Sequence, residues 1–309
     1  MAQTFFISID LGGTNLKIAL LDSACRIKDK KILSTRHYRQ KSALIATIGE
    51  SVRNMRLSHS LHLCQIRGVG IGLPGPIDFE KGIVHFFPNI PGWKQVPLRS
   101  MVRQIVRLPV VIDNDANLMT LAEQRLGCAA IFSNVVGLTL GTGVGGGIII
   151  EGKLYRGGSF AAGEIGHVPL NEQGPRCKCS GKACLEAYIG NTKILSQARK
   201  IFGASITLEQ LSAMAKRGNT RARGIWSGVG FQLGVALSGI VNVLNPDCIV
   251  IGGGVAEAGS VLFDKVKETI SLRALKVASR HVHVRKAALG SDAGMIGAAI
   301  LVKEQLNCV

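Results

Sequence analysis

The chain has 309 residues; 47% are apolar and 38 are glycine, with three tyrosines and two tryptophans. That length buries one large core or two medium ones, and abundant glycine with scarce tyrosine and tryptophan suits an α/β enzyme better than a β-sandwich or a binding module. Thirty-seven basic against 20 acidic residues give a formal charge of +17, read either as attraction to an anion or as a generally basic surface. The densest basic groups, at 28–31, 36–41 and 276–286, hold one tyrosine, Tyr38, between them and do not read as a single-strand stacking platform.

In chain order, Phe5 to Asp10 and Leu16 to Leu21 read as short apolar strands joined by Gly12-Gly13-Thr14-Asn15, a β-hairpin. Residues 42–56 have helical spacing. Ile66 to Ile71 is a buried strand that ends in the loop Gly72-Leu73-Pro74-Gly75-Pro76. Val110 to Ile112 is a strand, and Asn114 can cap a helix over about 115–127. The pattern then restarts. Val135 to Leu140 is a strand, 141–147 a glycine turn, and Ile148 to Ile150 the next strand.

The uncharged stretch 126–150 therefore reads as two buried strands and a turn, not a membrane span. Beyond 191 the chain is mainly helical, with Val229, Leu233, Leu237, Ile240 and Leu244 forming one apolar stripe. Cys248 to Ile251 is a strand leading to Gly252-Gly253-Gly254 and a helix, and an apolar helix starts at about Ala293. Two glycine hairpins, about 130 residues apart, suggest two halves on one plan. The expected boundary is near residue 118: a smaller α/β lobe over 1–118, completed by the helix 293–309, and a larger lobe over 119–292.

Glycine turns let backbone N–H groups converge on a phosphate, and Thr14 and Thr142 add hydroxyls. Neither hairpin is a Walker sequence, and each leads into a strand where a dinucleotide fingerprint would open a helix. Asp10, at a strand end beside the first hairpin, is a candidate ligand of hydrated Mg²⁺. The third glycine loop either holds a nucleoside or packs tightly. In Asp113-Asn114-Asp115, either of the first two residues can cap the following helix. That leaves Asp115, in a helical first turn that favours its ionised form, available as a base.

Eight cysteines occur, at 25, 64, 128, 177, 179, 184, 248 and 308. Asp10 interrupts the only apolar stretch near the start, so no secretory leader is expected and a reducing cytoplasm fits best. Cys177, Cys179 and Cys184, with His167 upstream, are three thiols and an imidazole, the ligand set of a closed structural zinc site. Glu164 and Glu186 flank that cluster.

Together these segments resemble the ROK family of sugar kinases and sugar-responsive repressors. The resemblance rests on Asp10-Leu-Gly-Gly-Thr-Asn15, Gly72-Leu-Pro-Gly-Pro76, Asp113-Asn-Asp-Ala-Asn117 and Leu140-Gly-Thr-Gly-Val-Gly-Gly146. It continues through Glu164-Ile-Gly-His167, the cysteine cluster ending in Glu186, and Asn245-Pro-Asp247 leading to Ile251-Gly-Gly-Gly254. It implies an actin-like ATPase (ribonuclease H-like) α/β fold, whose two lobes of duplicated ancestry close over sugar and ATP, with a zinc-stabilised loop. It further implies that Asp115 is the base toward a sugar 6-hydroxyl and that Gly75, Asn89, Asn114, Glu164, His167 and Glu186 bind the sugar.

ATP and its phosphates would be held by Asp10, Gly12, Gly13, Thr14, Asn15, Lys17, Gly141, Thr142, Gly143, Gly145, Gly253 and Gly254. His167, Cys177, Cys179 and Cys184 would bind Zn²⁺, with His167 using its second ring nitrogen for sugar. Ser180 and Ala183 stand where the family commonly has glycine, which puts the local turn in question. The repressors carry a DNA-binding helix-turn-helix ahead of the sugar domain. Here the first strand starts about four residues from Met1, so a kinase is expected, with no nucleic-acid or membrane partner and a homodimer or homotetramer as the usual assembly. Asn89-Ile90-Pro91-Gly92-Trp93-Lys94 resembles a segment of ROK glucokinases, although Trp93 also reads as a packing residue. D-glucose is the expected substrate, with fructose, mannose, allose or an N-acetylated amino sugar as alternatives.

Overall fold

The computed structural model describes residues 3–35, 40–87 and 92–307. The chain divides into two compact units. One comprises 1–122, 156–162 and 291–309, the other 123–155 and 163–290. The sequence places the crossing near 118; it falls at 122, inside a helix, and the excursion 156–162 joins the first unit through Arg156, whose guanidinium is bonded to Asp113.

In the first unit, β1 (Phe5–Leu11), β2 (Asn15–Asp22) and β3 (Ile27–Ser34) form an antiparallel meander. Helix α1 (Lys41–Ser58) crosses to β4 (Ile66–Leu73), which pairs parallel to β1. A small antiparallel sheet follows: β5 (Ile77–Asp78), β6 (Ile83–Phe86) and β7 (Lys94–Val96). Helix α2 (Leu98–Val106) then returns the chain to β8 (Val110–Asn114), parallel to β4, giving the order β3-β2-β1-β4-β8. β1 and β4 read as nearly unbroken apolar runs because they are central strands buried on both faces. The edge strand β3 escapes that reading: Lys28, Lys30 and Lys31 line it, as suits an edge guarded against pairing. Helix α3 (Asp115–Leu126) starts directly at the end of β8.

In the second unit, β9 (Val135–Leu140), β10 (Val144–Ile150) and β11 (Lys153–Tyr155) repeat the antiparallel meander. Helices α4 (Leu185–Ile189), α5 (Asn191–Phe202), α6 (Leu208–Lys216) and α7 (Thr220–Leu244) follow. β12 (Cys248–Gly252) pairs parallel to β9. A 3-10 turn over 254–258 and helices α8 (Ser260–Arg273) and α9 (Lys276–His281) lead to β13 (His283–Lys286), parallel to β12. The order is β11-β10-β9-β12-β13. Helix α10 (Ala293–Asn307) packs against β1, β4 and β8, back in the first unit.

By length and composition α7 is the one helix among the described residues that could cross a membrane. Here it is a core helix, with Trp226, Leu233 and Leu237 fully buried and Gly230 and Gly234 lying against α8. The apolar stripe holds, with Val229 also buried and Ile240 and Leu244 at its edge.

The glycine turn expected over 141–147 is corrected. β10 already begins at Val144, and Gly145, Gly146 and Gly147 pair with Thr139, Leu138 and Gly137. Only 141–143 turn. The glycines within β10 serve close packing: a Cβ on Gly146 would collide with the carbonyl oxygen of Gly163, and one on Gly163 would come within 2.7 Å of the Gly146 oxygen.

Candidate active site

In the first unit the β1–β2 register places Asp10 opposite Lys17, and their side chains meet at 2.9 Å. Lys17 Nζ also donates to the Ser291 carbonyl at 3.3 Å. The turn between them is closed by Gly12 N–H to the Asn15 carbonyl at 2.9 Å, and Thr14 and Asn15 stand exposed at its tip. A Cβ on Gly294, at the start of α10, would lie 3.9 Å from the carboxyl carbon of Asp10.

The turn from β8 into α3 carries the acid/base candidate. Asp113 is 2% exposed and fully engaged. Its Oδ2 accepts from Arg156 Nε and Nη2 at 2.9 and 2.7 Å, and its Oδ1 from Asn114 N and Asn117 Nδ2 at 2.8 and 3.0 Å. Asn114 caps α3 through its Oδ1, which accepts from Ala116 N at 2.9 Å and Asn117 N at 3.3 Å. Its amide donates to the Gly75 carbonyl at 3.3 Å, joining two residues that the sequence places in one sugar site. Asp115 is half-buried at the first helical position and accepts from Ala116 N at 2.8 Å. Of the two aspartates, Asp113 is committed to holding the turn. Asn89, Ile90 and Pro91 lie outside the described residues. Trp93 is 2% exposed and packs on Phe87, ring centroids 5.2 Å apart.

In the second unit Glu186, in the first turn of α4, accepts from Val144 N at 2.8 Å. Gly143 abuts the same carboxylate, leaving no room for a side chain there. Asn191 N donates to the Gly141 carbonyl at 3.0 Å, so the β9–β10 turn is held by both α4 and α5. Thr142 is exposed at its tip. Gly253, at φ 85°, packs its backbone into that of Leu140, while Gly254 borders open space. Of the two readings of the third glycine loop, tight packing therefore accounts for Gly253.

His167, Cys177, Cys179 and Cys184 each offer one ligand atom, all within 4.8 Å of one another. Cys179 Sγ and Cys184 Sγ are 3.7 Å apart, and Cys177 Sγ is 3.8 Å from His167 Nδ1. Tetrahedral Zn–S bonds of about 2.3 Å require sulfurs about 3.8 Å apart, so the donor set fits that ion. The sulfurs carry no disulfide. Burial pushes the Cys184 thiol up to about 12, while the Gly181 amide, with its neighbours, draws Cys179 down. His167 turns Nδ1 to the cluster and Nε2 toward Glu164, 3.8 Å from Oε2. The knuckle is bent through Ser180 at φ 74° and Ala183 at φ 56°, so both non-glycine residues sit in the left-handed region.

Arg156, which holds the Asp113 carboxylate at the β8–α3 turn, is a residue that sequence reading missed. It stands alone in Tyr155-Arg156-Gly157-Gly158, where neither periodicity nor a charged neighbour signals its burial.

The model of the ROK family matches residues 6–305. A glucokinase of Halalkalibacterium halodurans is 35% identical over 99% of this chain and 97% of its own length. A ROK family glucokinase from Streptomyces griseus, solved with glucose and AMPPNP, superposes with TM-score 0.83 at 29% identity, covering 97% of this chain and 99% of that one. A ROK family transcriptional regulator, a homologue of the E. coli MLC protein, superposes with TM-score 0.90 at 26% identity, covering 97% of this chain and 78% of that one. The two α/β units, each with a meander extended by two parallel strands, have the actin-like ATPase fold. A family match over nearly the whole length, on a fold of the same kind, means that this chain belongs to the ROK family.

Proposed function

We propose that this chain is an ATP-dependent glucokinase that transfers the γ-phosphoryl group to the 6-hydroxyl of D-glucose. The observation that carries the reading is the β8–α3 turn: Arg156 and Asn117 engage Asp113, and Asp115, half-buried at the helix start beside Asn114, is read as the carboxylate that receives a proton. Support also comes from the 35% identity to a glucokinase over 99% of this chain. The regulator's higher TM-score keeps a sugar-binding repressor as the second reading.

In the proposed reaction Asp115 accepts the 6-hydroxyl proton as the oxygen attacks phosphorus. A weak base suffices, because positioning and charge stabilisation dominate phosphoryl transfer. Asn114, Gly75, Asn89, Glu164, His167 and Glu186 orient the remaining hydroxyls. The amides of Gly12, Gly13, Gly141, Gly143 and Gly145, the hydroxyls of Thr14 and Thr142, and Asn15 and Lys17 hold the phosphates, while Gly254, beside the tightly packed Gly253, borders the nucleoside. Asp10 already shares one oxygen with Lys17, which suits outer-sphere contact with hydrated Mg²⁺, an ion that takes few protein carboxylates. Mg²⁺ when bound neutralises charge on the phosphates. His167, Cys177, Cys179 and Cys184 would hold Zn²⁺ in a structural role, since four protein ligands would leave no position for catalysis, and His167 Nε2 would face a sugar hydroxyl. The enzyme is assigned to the cytoplasm, as a homodimer or homotetramer.

Phosphorus NMR tests the reaction. Incubation with ATP and glucose should give a phosphomonoester signal split by two C6 protons. Asp115→Asn should bind glucose but form that product about 10²- to 10⁴-fold more slowly. An absent signal, or a variant turning over within a few-fold of the parent, contradicts the assignment.

A further inference from the structure

We propose that Arg156 is a positioning residue for this reaction: its grip on the buried Asp113 carboxylate fixes the turn that presents Asn114 and Asp115. The inference rests on the reading of Asp115 as base. Asp113 divides its oxygens. Oδ2 takes both Arg156 nitrogens, and Oδ1 takes the backbone of Asn114 and the side chain of Asn117. Two N–H donors of one guanidinium converge on Oδ2 and fix the position of that oxygen beside a balancing charge. With Oδ2 held there, Oδ1 is turned to the Asn114 amide and the Asn117 side chain. Arg156 is itself held from its other side, with its guanidinium 3.7 Å from the centroid of the Phe79 ring. Ala162 N–H closes back onto the Arg156 carbonyl at 3.0 Å, so 156–162 is a closed loop anchored at that residue.

The anchor thus runs from Phe79 through Arg156 and Asp113 to the residue beside the base. A buried ion pair is weak evidence for stability, since desolvation offsets its attraction. Orientation of the turn is the consequence that the geometry does support. Nothing else among the described contacts sets the Asp113 Oδ2 side of that carboxylate.

The test uses Arg156→Gln and Arg156→Lys in the full chain. Glucose-dependent ADP release is measured together with hydrogen exchange at the amides of Asn114 and Asn117. Arg156→Gln should lower kcat about tenfold or more, leave KM for ATP within about twofold, and speed exchange at those amides. Arg156→Lys keeps a charge without the fork and should remain impaired. Should Arg156→Gln fold poorly, the double variant Asp113→Asn with Arg156→Gln removes the unpaired charge, and the same loss of kcat is expected. A folded variant with kcat within twofold of wild type overturns the proposal. If the wild type itself phosphorylates no sugar, the glucokinase reading fails on its own. Exchange then decides the role of Arg156, and unchanged exchange overturns it.

Discussion

The two five-stranded sheets have the same order, an antiparallel meander extended by two parallel strands, yet their leading hairpins are held in different ways. In the first, side chains do the holding: Lys17 bridges to Asp10 across the ladder, and the tip at Thr14 and Asn15 is exposed. In the second, insertions hold the turn: Glu186 on α4 and Asn191 on α5 grip it, and the Glu164–His167 turn lies on the glycines of β10. One helix, α1, links the meander to the next strand in the first sheet. The second inserts the cysteine cluster and four helices at that point. The repeated scaffold thus differs in what lies between equivalent strands, and only the second carries the cysteine cluster there.

If the cluster secures only the inserted region, removing metal should strike the second hairpin. Chelation should lower the melting temperature by an amount equivalent to several kcal/mol and weaken sugar binding, because the ligands are also the supports of Glu186. Unchanged melting and unchanged calorimetric sugar binding would remove the cluster from this account. Glycine substitution is sharper. Gly146→Ala should cost about 1–3 kcal/mol in denaturant unfolding because the Gly163 backbone blocks its Cβ, while Gly141→Ala, with nothing within 4 Å, should fold normally. Equal stabilities would mean that β10 does not need its glycines for packing.

Acid should separate the first hairpin from the second. Asp22 closes the β2–β3 corner by accepting from Ala24 N and Arg26 N at 3.0 Å, whereas the β10–β11 corner turns through Glu151 and Gly152 at positive φ. Burial raises the Asp22 pKa, but the Arg26 amide, the Lys28 and Arg26 side chains and the Ala24 amide outweigh it and hold it at about 2. A depressed folded-state pKa stabilises fully above the unfolded value near 4 and is lost as pH falls through about 2. The melting-temperature gap between wild type and Asp22→Asn should therefore be constant above about pH 5 and close between pH 4 and 2. A gap independent of pH would exclude that carboxylate. The smallest effect is expected at the knuckle, where Ser180→Gly should stabilise by about 0.5–1 kcal/mol by relieving a left-handed serine at φ 74°; a lower melting temperature would contradict it.

Much of this was legible where apolar runs and glycines coincide. β1, β4, β9 and β12 are inner strands, so their sequence is mostly apolar, interrupted only by Ser8 and Asp10, by Arg67 and by Thr139. The edge strand β3 was not legible, because its lysines hide its alternation. The extent of the second turn was misjudged because a glycine in a strand that receives another backbone looks like a glycine in a turn. The ligand set of the metal cluster was readable from spacing, as was the concern over Ser180 and Ala183. Arg156 was not readable: the contact that gives it meaning joins residues 43 apart in sequence.

The central claim is most directly tested by kcat/KM for ADP release across D-glucose, fructose, mannose, allose, N-acetylglucosamine and N-acetylmannosamine. The account predicts that glucose has the highest value. A higher value for an N-acetylated sugar, or no sugar-dependent release with any of them, would contradict it.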